Sequence, residues 1–210
     1  MATIINNRSN LITDPIRNFR FLVTFFPQPN TPVAGASTNP TLKKLADQRS
    51  TSFGFTSVSG MAVTTDSIPY REGGYNTTVH QIPGQSTFTP ITLQRGVMLN
   101  KSQNWDWMRQ LFATVSGAST TRSVAQNFRC DLEIEVLSHP IPAAGVEDGA
   151  PETRDHTAMR FRVYNTWPTT VAYSDLNAGD NALFVEQMTL VHEGFDIKWA
   201  PSLTVNAGTY

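Results

Sequence analysis

Cysteine is nearly absent from this 210-residue chain, with Cys130 the only one. No intrachain disulfide can form, and a cysteine metal cluster is excluded. Cys130 sits in an alternating run with Leu132, Ile134 and Val136, which suits a small buried apolar residue. Charge is scarce as well. Asp, Glu, Lys and Arg make up 16% of the chain against 40% hydrophobic residues, well under the roughly one-quarter charged content of ordinary soluble domains. A surface short of charge is one that other protein tends to cover. The net charge of −1 supplies no overall field to steer the chain to nucleic acid or membrane. No apolar run approaches the ~18 residues of a membrane helix, and the stretch after Arg8 has no apolar core of a signal peptide. No membrane partner is expected, nor a sequence-encoded route out of the cytosol.

Catalytic wording is missing too. The four histidines, His80, His139, His156 and His192, are not spaced as metal ligands, and His192-Glu193 lacks the HExxH pattern. There is no GxSxG elbow and no phosphate-binding P-loop; Gly145 to Gly149 reads as a loop. Gly73-Gly74 has no helix N-terminus after it to aim at an anion. Asp131, Glu133 and Glu135 form a carboxylate stripe with no apolar cover to displace a pKa, so they should face solvent or basic residues. Trp105 and Trp107 fall on opposite sides of a helix and cannot make one stacking platform. With Trp167 and Trp199 they read as core and interface anchors. No enzyme, metal or cofactor is expected.

Strand signals fill most of the chain. Arg17–Phe26 is apolar at Phe19, Phe21, Val23 and Phe25, a period of two. Pro27–Ser52, rich in Pro, Thr, Ser, Ala and Gly, reads as a surface loop with a short helical turn near Leu42–Arg49. Strands follow over Phe53–Tyr70, Thr77–Gln81, Thr87–Leu99, Asn127–Leu137, Met159–Tyr164, Val171–Tyr173 and Leu183–Ile197. One helix stands out, with Ser102 as N-cap, Asp106 in its first turn and Gly117 as its stop. Its apolar face is expected at Trp105, Met108, Leu111 or Phe112, and Val115. No repeat of fixed period is present. About eight or nine strands with one flanking helix indicate a mainly β fold, a β-barrel or sandwich, and the length suits a single domain over 1–210.

The most specific wording lies between Tyr70 and Gly96. Tyr70-Arg71-Glu72-Gly73-Gly74 closes a strand at a pair that tolerates positive φ. Pro83-Gly84 reads as a bend in the returning strand, and Ile91-Thr92-Leu93-Gln94-Arg95-Gly96 as the next strand. These motifs resemble the T4-type phage tail-tube proteins, a family shared with the inner tubes of contractile injection systems. Further landmarks follow in family order: Asp14-Pro15 with Phe19–Phe25, Phe55–Met61, Trp105-Asp106-Trp107, Asn165-Thr166-Trp167-Pro168 and Glu186–Gly194. The departures are two insertions, near 27–52 and 140–156, and a tail after Ile197.

The resemblance implies a barrel subunit that assembles into hexameric rings, stacked head to tail into a tube for DNA ejection. It implies sheath, baseplate and tail-terminator partners, then the tape-measure protein and DNA in the lumen, and a place in the virion tail after assembly in the host cytoplasm. Tyr70, Arg71, Glu72, Gly73, Gly74, Tyr75 and Arg95 are the subunit-contact candidates. The rivals are an inner tube that injects protein cargo, a type VI secreted ring protein, and a monomeric carbohydrate-binding β-sandwich.

Charge is unevenly placed. Residues 1–130 carry 12 basic and 5 acidic residues (+7), and residues 131–210 carry 4 and 12 (−8). Chance plus one acidic loop is one reading; complementary faces of neighbouring subunits is the other. Period-two geometry makes a sharper demand. If Cys130–Leu137 pairs antiparallel with Ala158–Tyr164 and both apolar sets share the core, Asp131, Glu133 and Glu135 share the other face with Arg160 and Arg162, and a register that sets Glu135 against Arg160 also sets Glu133 against Arg162; the alternative is that each charge row simply faces water. A channel wall for DNA should be neutral or acidic, since phosphates bind exposed cations.

Overall fold

The computed structural model describes residues 15–30, 38–46, 54–74, 77–99, 101–116, 127–137, 157–179 and 181–199. Among these residues nine strands and two helices occur in the order β1 (Phe21–Pro27), α1 (Pro40–Ala46), β2 (Ser57–Ser59), β3 (Val63–Tyr70), β4 (His80–Phe88), β5 (Ile91–Gly96), α2 (Gln103–Ser116), β6 (Cys130–Leu137), β7 (Thr157–Tyr173), β8 (Val185–Val191) and β9 (Gly194–Trp199).

β7 organises the sandwich. Its first half pairs with β6 on one side and β9 on the other, and β1 adds to β6. Its second half pairs with β8, which continues to β5 and β2. One long strand thus belongs to both sheets, here called the β1 sheet and the β8 sheet. The corner falls on Asn165-Thr166-Trp167-Pro168. Asn165 takes φ +54, a left-handed conformation that asparagine tolerates better than most residues. Its amide N–H donates to Asp131 Oδ1 at 3.1 Å, while the Thr166 hydroxyl donates to the Cys130 carbonyl. Pro168 adds a bulge immediately afterwards, where a missing N–H costs the ladder least.

The core lies between the sheets. Leu132, Ile134, Phe161 and Val163 from one meet Ile91, Leu93, Met188 and Leu190 from the other. Trp107 of α2 is fully buried among them, edge-on to Phe25 at 6.1 Å, and its indole N–H donates to the Phe128 carbonyl at 2.8 Å. Gly60, between β2 and β3, has φ +92, and a Cβ there would lie 2.1 Å from the Pro90 carbonyl oxygen. Only glycine lets β2 turn away so close to the start of β5.

Cys130 is buried as expected, and burial, followed by the adjacent Asp131 charge, pushes its thiol pKa up. Two expectations change. The 27–52 stretch contains α1, whose Leu42 and Leu45 enter the core. Asn39 caps it, accepting the Thr41 N–H at 2.9 Å, with Pro40 at the first helical position. Apolar residues three apart on so short a helix were outweighed in the sequence by polar, loop-forming neighbours. The second change concerns α2. It starts after Ser102 as expected, but its buried residues are Asn104, Trp107, Met108 and Gln110. Trp105, Phe112 and Val115, assigned inward from their spacing, are exposed. The helix has apolar residues on two sides, and periodicity alone caught only part of the buried one: Met108 is buried, and Leu111, the alternative to Phe112, is half-buried. The 140–156 stretch lies outside the described residues.

Candidate assembly surfaces

Four surfaces leave the sandwich with distinct chemistry. The first is the β3–β4 hairpin, which leaves β2 through Gly60 and returns to β5 through Thr89-Pro90. Among the described residues neither of its strands pairs with a third, so both outer edges keep unpaired backbone groups. Every residue of β3 is exposed, and every residue of β4 except Gly84. Ile68 opposes Ile82 and Tyr70 opposes His80 on one face of the ribbon, an apolar set with no core beneath it. Pro83-Gly84 does not end the strand, as its wording suggested. It sits inside β4 at a register shift opposite Thr65–Ser67, so the bend is a bulge that twists the ribbon.

Of the residues singled out in the sequence, Tyr70, Arg71, Glu72, Gly73 and Gly74 cluster at the exposed hairpin tip. Gly74 has φ +96 with open space around it. Tyr75 lies outside the described residues. Arg95 stands apart from them. It is 2% exposed and its Nε donates to Glu186 Oε2 at 2.7 Å. Glu186 also accepts from Asn104 Nδ2 at 3.0 Å and from the Tyr173 hydroxyl at 3.1 Å. Burial first, then the Glu186 charge, raises the Tyr173 pKa. Arg95 thus ties β5 to β8 and to the start of α2 within one subunit. The motif spacing gave no signal for Glu186 as its partner, since the pair is 91 residues apart.

The second surface is the outer face of the β1 sheet. Its rows read Leu22, Glu135, Arg160, Lys198 and Thr24, Glu133, Arg162, Asp196 across β1, β6, β7 and β9. The expected oppositions of Glu135 with Arg160 and Glu133 with Arg162 are present. The ion pairs are partly diagonal. Arg160 reaches both Glu135 (2.7 Å) and Glu133 (3.1 Å), while Arg162 approaches Asp131 at 3.8 Å and lies over the Phe26 ring. Glu133 and Glu135 are buried beneath this cover, which a bare stripe in the sequence did not show. Beside it the Tyr164 hydroxyl donates to Asp196 at 2.9 Å, a bond that raises the tyrosine pKa.

The third surface is the outer face of the β8 sheet, with rows Ser57, Gln94, Gln187, Ala172 and Ser59, Thr92, Thr189, Thr170. The fourth is the outer side of α2, where Trp105 and Phe112 pack edge to face at 6.4 Å in the open. An open apolar cleft of about 440 Å³ also lies between the sheets beside Ile16, Phe21, Met61, Val136, Met159 and Trp199.

The arrangement has no catalytic geometry among the described residues. Among the described residues no group of three His, Cys, Asp or Glu is placed to hold a metal. His192 bonds the Thr89 carbonyl through Nε2 at 3.0 Å and packs with Phe88 and Phe195. Among the described residues no helix is long and apolar enough to cross a membrane.

The family model described as T4-like virus tail tube protein gp19 matches residues 17–196. No curated protein matches the chain. Solved structures share the fold, three of them as follows. One, from the sheath–tube complex of an extracellular contractile injection system (PVC) in the extended state, is 22% identical, with 95% of this chain and 100% of that one covered and a TM-score of 0.57. One from the anti-feeding prophage baseplate is 18% identical, covers 89% and 97%, and has a TM-score of 0.59. One from the PVC sheath/tube terminator is 25% identical, covers 88% and 97%, and has a TM-score of 0.54.

Proposed function

The chain belongs to the T4-like virus tail tube protein gp19 family, and on that premise we propose that it forms hexameric rings stacked head to tail around a channel for DNA ejection. It is a tail tube protein, of the kind found in phage tails and contractile injection systems. The observation that carries the assembly is the β3–β4 hairpin, two exposed strands with both outer edges open and Ile68, Tyr70 and Ile82 uncovered. A monomer gains nothing from such an arm; a neighbour's sheet edge satisfies its backbone and its apolar face together. Contacts between unlike surfaces close into a ring when the rotation closes, and stack without limit when it does not. In the virion tail the partners are further copies, then sheath, baseplate and terminator outside, and the tape-measure protein and DNA inside. In this reading the hairpin-tip residues Tyr70 to Gly74 touch a neighbouring subunit.

The same subunit would serve the inner tube of a protein-injecting particle, and the injection-system structures that share its fold keep that reading in play. Capsid, portal and terminase genes beside the coding gene separate the two. Assembly itself is tested by gel filtration and negative-stain microscopy of the purified chain, alone and with a native baseplate. Rings and hollow tubes are expected. Compact monomers under every condition would sink the proposal and return the carbohydrate-binding sandwich as the better account.

A further inference from the structure

We infer that His192, with Phe88 packed against it, is the latch that sets the angle at which the β3–β4 hairpin leaves the sandwich, an inference that rests on the tube reading above. The hairpin is joined to the sandwich by two short lengths of chain, one through Gly60 and one through Thr89-Pro90. Gly60 takes φ +92, and glycine by itself holds no direction. The Thr89 N–H donates to the Ala62 carbonyl at 3.0 Å, which closes the stem of the hairpin but does not tie it to the sandwich. The Thr89–Pro90 peptide has no N–H to give, so only its carbonyl can bond. His192 Nε2 lies 3.0 Å from that carbonyl oxygen, and an acceptor on that side assigns the proton to Nε2. His192 is 7% exposed, and its Nδ1 has no hydrogen-bond partner among the described residues. The imidazole is committed to the hairpin root.

The latch has a firm base. His192 opens the turn between β8 and β9, where the Glu193 N–H donates to the Tyr164 carbonyl at 3.1 Å and Asn165 Nδ2 donates to the Glu193 carboxylate, so the turn is fixed to the corner of β7. Phe88, the last residue of β4, supplies the other side of the contact. Its ring centroid lies 5.6 Å from that of His192 and 5.8 Å from that of Phe195. Gly194 leaves room beside it, since a Cβ there would lie 3.6 Å from the Phe88 ring. Phe195 in turn packs edge-on against Phe161 of the core. The hairpin root is thus keyed to both sheets, to the β8 sheet through His192 and to the β1 sheet through Phe195. Leverage makes this contact matter. The eight residues of β3, at ~3.3 Å each, carry the tip about 26 Å from the root, and a swing of roughly 10° moves it by about 4–5 Å. A hydrogen bond to a neighbour tolerates only about half an ångström. The open strand edges can meet the same place on every neighbour only if the root is held, whereas a freely swinging arm would lose its freedom at each contact it made.

The test reads the hairpin in the isolated subunit and the tube separately. Cys130 is buried, so spin labels at Gln81→Cys, near the tip on β4, and Lys198→Cys, on β9, report one distance by electron–electron dipolar spectroscopy. The parent should give a single narrow distance distribution. His192→Phe keeps a ring in place and removes the hydrogen bond. It should broaden the distribution severalfold and raise the concentration needed for tubes about tenfold, the worth of one hydrogen bond. His192→Gln, whose amide N–H reaches where Nε2 stood, should restore both. A role in packing alone gives the reverse order, with His192→Phe close to wild type and His192→Gln impaired, and overturns the latch. Tube formation at the wild-type concentration by a subunit whose hairpin has loosened overturns it too. Should His192→Phe fail to fold, Phe88→Leu loosens the same root from the hairpin side, and a distribution that stays narrow then overturns the inference. A wild-type chain that makes no tubes overturns the tube reading, while the distances in the subunit still decide the latch.

Discussion

The two sheets share β7 and one core, yet they place their ions on opposite sides. In the β1 sheet the ions face out, as an Asp/Glu ladder on β6 against an Arg ladder on β7. In the β8 sheet the only salt bridge among the described residues faces in, Arg95 with Glu186, and the outer rows are hydroxyls and amides. An outward ladder remains within reach of water and can be rearranged by a partner. An inward pair, cut off from solvent, depends wholly on its own geometry and hydrogen bonds. The same residue types therefore cover one face of a sheet within reach of water and hold the subunit together from inside in the other.

Removing the inward carboxylate should have the largest effect on stability. Glu186→Ala leaves Arg95, Asn104 and Tyr173 facing a void, and loss of one partner of a buried pair costs roughly 3–5 kcal/mol. Urea unfolding of the isolated subunit should show a strongly lowered midpoint. The double change Arg95→Met with Glu186→Leu should recover much of that loss, because no charge is then stranded. Next in size is the outward ladder. Arg160→Ala uncovers two carboxylates that it bridges, Glu133 and Glu135, at about 1–3 kcal/mol. An Arg160→Ala loss as large as that of Glu186→Ala would break the distinction between the sheets.

Legibility followed the period of each element. The β6–β7 register could be read because two strands close in sequence carried both an apolar and a charged alternation, and these agreed on a single pairing. The hairpin could be read because Gly73-Gly74 marks its tip. Arg95 could not be assigned its buried role, since Glu186 arrives from a strand far along the chain and no local pattern links them. The inner side of α2 was misread for a related reason. Asn104 and Gln110 are polar yet buried; Asn104 faces inward because Glu186 needs a donor, a tertiary demand that hydropathy does not carry. The charge-free face was present in the sequence as alternate Ser, Thr and Gln, but it became a surface only when β2, β5, β7 and β8 were set in register.

A smaller effect on stability is expected at the hairpin tip. Gly74→Val forces a β-branched residue into φ +96, a strain of roughly 1–2 kcal/mol, with open space around it and hence no clash with the sandwich. The variant should be soluble and unfold close to the wild type, but fail to stack when examined by negative stain. Tubes of ordinary length from Gly74→Val would remove the tip from the assembly contact and leave only the ribbon's flanks.

The smallest change in subunit stability, and the sharpest test of the comparison, comes from adding a cation to the neutral face. Gln187 is exposed at the middle of a row, opposite Gln94 and Ala172, so Gln187→Lys disturbs no buried contact and should shift the unfolding free energy by under about 0.5 kcal/mol. If this face lines the channel of a ring, the substitution repeats in every subunit and sets a belt of ammonium groups around it. Tubes of this variant should then retain short single-stranded polyanions that wild-type tubes release, with an affinity that falls as salt rises by roughly 0.7 log units per log unit of salt for each phosphate engaged. Lysine placed instead at Leu22, on the charged outer face of the β1 sheet, should add no such retention inside the tube. Equal retention by the two variants would mean that neither face is set apart as the wall, and loss of ring formation by Gln187→Lys would mean that the neutral rows face another subunit.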